Sequence, residues 1–141
     1  MQLKDKKGCI FFDFVNRNSP GHWIYEDRHV AGLLYVEKHP LIVPKPHFAD
    51  VYELDEIHVA AVMQAAVCVA KATKIATQCD GINLVQSNVA AAGQDVFHFR
   101  LHIKSRFQHD KVKMSWDARA IDDENRTKPS AAITQQLDKF L

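Results

Sequence analysis

The chain has 141 residues, 47% of them hydrophobic and 25% charged, with five glycines and five prolines. That is the size of one domain with a single hydrophobic core, in an ordinary globular composition. A formal net charge of +1 excludes a global field that would draw in nucleic acid or an acidic membrane, so any anion site must be local.

Three cysteines, Cys9, Cys68 and Cys79, form an odd set without CxxC spacing, which fits a reducing compartment better than a disulfide framework. The first eight residues include four charged ones, Lys4, Asp5, Lys6 and Lys7, and the apolar run after them breaks at Asp13, too soon for a signal-peptide core. The longest apolar stretch, Val59 to Ala70, is interrupted by Gln64 and followed by Lys71 and Lys74. It is too short and too alanine-rich to span a bilayer. The expectation is a cytoplasmic protein with no nucleic-acid or membrane partner.

In chain order, Cys9 to Val15 mixes Phe11, Phe12 and Phe14 with Asp13 and suits either a helical turn or a strand. Residues 16–21, Asn-Arg-Asn-Ser-Pro-Gly, form a turn cluster. Trp23 to Tyr25 and Val30 to Val36 predict two strands around the polar turn 26–29. Pro40 to Val43 predicts a short strand, stopped by Pro44 and Pro46. Asp50 to Asp55 supplies helix-start chemistry, and Ile57 to about Thr77 carries the strongest helix signal. That helix is apolar nearly all round, which predicts packing across a sheet rather than lying half in solvent. Asp80-Gly81 is a turn, Ile82 to Gln86 a strand, and Asn88 to Gly93 a loop of small residues. Residues 108–128 are polar and irregular, and Pro129 to Leu141 predicts a short terminal helix. There is no repeat and no linker, so residues 1–141 are expected as one domain, with a core over 9–107 and an extension over 108–141.

Val96 to Lys104 gives the clearest pattern. Phe97, Phe99, Leu101 and Ile103 alternate with Val96, His98, Arg100, His102 and Lys104, a period of two that predicts one greasy and one cationic strand face. Along a strand, His98, Arg100 and His102 stand about 6.6 Å apart, too far for the two imidazoles to clasp one metal. The spacing suits an extended phosphate chain, which arginine can grip through two bonds. A solvated edge-strand face is the plain alternative. Against it, the small-residue loop Ala90 to Gly93 ends just before the row, where backbone N–H groups can approach a ligand and Asn88 and Gln94 add amides. His22, His29, His58 and His109 are expected at the surface, and Cys68 buried as a small hydrophobe. Trp116 is expected to pack, and Lys111 and Lys113 to be solvated.

The stretch Gly93-Gln94-Asp95-Val96-Phe97-His98-Phe99-Arg100-Leu101-His102-Ile103 resembles the signature of the histidine-triad (HIT) family. His39 to His47 (HPLIVPKPH), Cys9 to Val15 with Tyr25 to Val30, and Asp80 to Asn88 are similar to three further segments of that family, in the same order. The resemblance implies an α+β fold: an antiparallel sheet of about five strands with one long helix across it, a short C-terminal helix, and a homodimer. It implies nucleotidyl transfer to the middle triad histidine, followed by hydrolysis. By position His98 is the first triad residue and His102 the third, with His39 in support; Asn88, Gly93 and Gln94 would meet the phosphate, and Ile10, Phe11 and Phe14 the base.

Arg100 stands where the nucleophile belongs. A guanidinium stays protonated and has no lone pair for phosphorus, so the family's covalent route is impaired. Tyr35 stands near the slot of a ribose-binding acid, and Lys38 and Val89 where glycines are expected. Cys9, His47 and His98 match three ligands of a four-ligand zinc site, while Phe12 takes the place of a second cysteine, so no metal and no other cofactor is expected. The expected function is binding or sensing of a purine nucleoside phosphate at His98, Arg100, His102 and His39. Hydrolysis of a dinucleoside polyphosphate or phosphoramidate by direct water attack is one alternative, and a non-enzymatic dimeric scaffold another.

Overall fold

The computed structural model describes residues 8–34, 38–115 and 122–141. Two compact units are formed, Met1–Asp110 and Lys111–Leu141. The first holds a five-stranded sheet built from β1 (His22–Glu26), β2 (Val30–Leu34), β3 (Pro40–Pro44), β4 (Gly81–Val85) and β5 (Leu101–Arg106). Strand order is β1-β2-β3-β5-β4, and every pairing is antiparallel. Before the sheet comes α1 (Ile10–Val15), which settles the ambiguous Phe-rich segment as a helix. Between β3 and β4 runs α2 (Glu56–Thr77).

Asp55 starts α2 by accepting the His58 backbone N–H, and its carboxylate also takes the His58 ring Nδ1–H at 2.7 Å. The buried residues of α2 are His58, Ala61, Val62, Ala65, Ala66, Val69 and Thr73, the three- and four-residue steps of a single stripe. That stripe meets Val30, Ile42, Phe99, Leu101 and Ile103 on one face of the sheet. The other side of the helix departs from expectation: Ile57, Val59, Met63, Val67 and Ile75 are exposed, and so is Cys68. One sheet face can cover only one stripe of a helix, so apolar residues all round leave the far side open. Length and composition alone would let α2 cross a membrane, but its stripe forms the core against the sheet. His58 is buried beside Phe48 and His29 instead of lying at the surface.

On the opposite sheet face, Ala31, Leu33, Leu41 and Val43 pack under Cys9, Phe11, Phe14 and Val15. Gly32 is required by close approach, because an added Cβ would stand 2.9 Å from the Cβ of its cross-strand neighbour Tyr25. The second unit contains α3 (Asp123–Leu137), which begins six residues before the expected Pro129 and keeps that proline inside. Asp122 caps it by accepting the Asn125 N–H, and Asp123 and Glu124 favour its first turn. Tyr35 and Trp116 lie outside the described residues.

Candidate functional site

The cationic row is in two pieces rather than one strand. Residues 96–98 bend, with the His98 N–H donating to Val96 O and the Phe99 N–H to Phe48 O, and pairing starts only at Leu101. The bend breaks the period of two: Phe97 is 43% exposed and His98 is fully buried. Phe99, Leu101 and Ile103 enter the core as expected.

His98 Nε2–H donates to Pro44 O at 3.1 Å, so Nδ1 carries the lone pair facing Cys9 Sγ at 3.4 Å. Burial pushes the His98 pKa down to about 4, with repulsion from His47 and Arg100 adding to it against the bond to Pro44. The ring is neutral at pH 7. His39 Nε2 and His102 Nδ1 share one hydrogen bond at 2.9 Å. His102 pairs with Leu41 on β3 and Val85 on β4, which fixes its height above the sheet.

Arg100 Nη1 donates to Val96 O at 2.9 Å and Nη2 to Asp95 at 2.6 Å, while its guanidinium lies 4.9 Å from the Phe11 ring centroid. This cation holds the Asp95 carboxyl below the usual carboxylate range. Arg100, His98 and His102 line one cavity of about 200 Å³. Gly93 and Gln94 line it too, as do Asp95, Ser87 and Lys104, to which the resemblance gives no role. Lys104 was legible as the next even position of the row.

The loop before the row works differently from expectation. Gln94 is buried, accepting the Val89 N–H and donating to Ala49 O, and Asn88 Oδ1 accepts the Val51 N–H and a proton from Gln86 Nε2. Asn88 is not among the cavity-lining residues. The N–H groups of Ala92, Gly93 and Gln94 close the loop on itself, through Val89 O and Ala90 O. These hydrogen bonds hold the loop in shape and set Gly93 and Gln94 at the cavity. Gly93 turns at φ 90°, where glycine is favoured. Val89, at φ 60° and ψ 166°, holds a backbone shape almost reserved for glycine, the residue the family pattern places there.

Of the residues expected around a base, Phe11 and Phe14 are core side chains, and Ile10 lines a separate hollow with Gly8, Cys9, His47 and Val96. The donor atoms of Cys9, His47 and His98 lie within 4.8 Å of one another. Their chemistry suits a soft cation such as zinc held by three protein ligands, but a closed four-ligand site is not formed among the described residues.

A family model described as HIT domain matches residues 16–109. The chain therefore belongs to the HIT family. It is similar to the protein named protein hit of Bacillus subtilis, at 30% identity over 93% of this chain and 95% of that one. It is also similar to a protein of Arabidopsis thaliana named adenylylsulfatase HINT3, at 34% identity over 72% of this chain and 54% of that one. The crystal structure of a HIT-family member from Bacillus subtilis superposes with a TM-score of 0.86 at 28% identity, covering 92% of this chain and 97% of that one.

Proposed function

We propose that this chain binds a purine nucleoside phosphate in the cavity beside β5, with Arg100 clamping the phosphate where the family pattern has its attacking histidine. One observation carries the reading: the Arg100 side chain is 12% exposed and lines the same cavity as His98 and His102. Its fork of donors already holds two oxygens, those of Asp95 and Val96, and a phosphate offers the same acceptors. A relative named as an adenylylsulfatase supports an adenylyl-type ligand. Without a lone pair at position 100, no nucleotidyl intermediate forms there. Calorimetric titration with AMP tests the reading: Arg100→Ala weakens binding about tenfold or more, and equal affinities would remove Arg100 from the site.

The hydrogen-bonded His39–His102 pair favours a second reading, slow hydrolysis by water with His102 as general base. Phosphoramidate turnover that disappears in His102→Ala would select it. A cytoplasmic homodimer completes the proposal. All three cysteines are free thiols, and Val59, Met63 and Val67 expose one apolar face of α2 at four-residue steps, suited to a second copy. Dimer mass in sedimentation, lost in Met63→Lys, is the expected result. A dimer that no nucleotide stabilises against heat would indicate the scaffold alternative instead.

A further inference from the structure

We infer that Asp95 is a displaceable stand-in for the ligand's phosphate, and that its carboxylate weakens doubly charged phosphates more than singly charged ones. The inference rests on the nucleotide-binding reading above. Among the described residues, Asp95 is the one acid lining the cavity that Arg100, His98 and His102 share. It also lines the neighbouring apolar hollow with Ile10, Val96 and Phe97, so it stands where the two hollows meet. Its Oδ1 accepts from Arg100 Nη2 at 2.6 Å and from the Val96 N–H at 2.8 Å. Arg100 first and that N–H second hold the carboxyl below its usual range, so it is a carboxylate at neutral pH.

The two partners of this ion pair are unequal. The Arg100 side chain is 12% exposed and has two further anchors, Val96 O at 2.9 Å from Nη1 and the Phe11 ring beside the guanidinium. The Asp95 side chain is 79% exposed. A carboxylate so open to water gives up little when it swings out, whereas the nearly buried guanidinium would lose its other contacts by moving. An arriving phosphate therefore replaces the acid and leaves the cation in place, taking over the charge-assisted bond from Nη2. The displaced carboxylate stays tethered at the rim, close to the phosphate. At about 4 Å across water, two unit charges of like sign repel by about fivefold in affinity, and a doubly charged phosphate meets this twice.

The test is calorimetric titration of the full chain at about pH 8 and constant salt with AMP, a dianion there, and with its phosphate methyl ester, a monoanion. Asp95→Asn keeps an oxygen for the Val96 N–H and removes only the charge. It tightens both ligands and raises the ratio of AMP to methyl-ester affinity about fivefold. Asp95→Glu, which keeps the charge, leaves that ratio near the wild-type value. His98, His102 and Lys104 line the cavity in every variant, so the ratio isolates the carboxylate. Unchanged or weaker AMP binding in Asp95→Asn, or an equal gain for both ligands, overturns the role of Asp95, while AMP binding that depends on Arg100 keeps the underlying reading intact. A wild type that binds neither AMP nor the methyl ester overturns both.

Discussion

On the α2 side of the sheet, Val30, Ile42, Leu101 and Ile103 meet one continuous stripe of helix, whereas the opposite face is divided. Under α1 that second face is core: Ala31, Leu33, Leu41 and Val43 pack with Phe11 and Phe14. Toward β4 and β5, His102 and Lys104 line a cavity. A uniform face can be written by periodicity alone. A divided face needs side chains that change environment from one residue to the next, and there a simple alternation misleads.

The comparison can be broken on the uniform side first. Ile103 is fully buried between sheet and α2, so Ile103→Ala leaves a cavity and costs about 3 kcal/mol in denaturant unfolding. A cost below about 1 kcal/mol would mean that the helix-covered face is not the main source of stability.

The divided face responds to acid. His98 titrates at about 4 in the fold against 6.5 when unfolded, so as pH falls the unfolded chain takes up a proton that the native chain refuses. The stability His98 contributes is present in full above about pH 6.5 and is lost as pH falls toward 4. It amounts to roughly 3 kcal/mol, and His98→Gln is expected to flatten that slope in melting curves taken across the range. An equally steep slope in the variant would place the acid sensitivity elsewhere.

A smaller effect sharpens the role of the loop that walls the cavity. Val89→Gly removes a β-branched residue from a glycine-type backbone and stabilises the chain by about 1 kcal/mol. Unchanged or lowered stability would show that the loop carries no strain at that position.

These contrasts explain what was legible. The existence of α2, the hairpin strands and the apolar positions Phe99, Leu101 and Ile103 follow from helix-start chemistry and a period of 2, because these signals are local. The row on the divided face was read in the right order but with the wrong geometry: His98 turns inward to Pro44 and Cys9, contacts 54 and 89 residues away along the chain. Long-range hydrogen bonds of that kind leave no local signal. The same holds for Asn88 and Gln94, whose partners Val51 and Ala49 lie 37 and 45 residues away along the chain. The exposed side of α2 was misjudged because composition reports how apolar a helix is, not how many faces it has to cover. The early start of α3 was readable from Asp122 to Glu124, an acidic cap and first turn.

The central claim is that position 100 holds a phosphate rather than bonding to it. Intact-protein mass spectrometry after incubation with an adenosine phosphoramidate tests it directly, on the wild type and on Arg100→His. The account predicts no adenylyl adduct on the wild type and an adduct on Arg100→His, mapped to residue 100. An adduct on the wild type, or none on either chain, would contradict it.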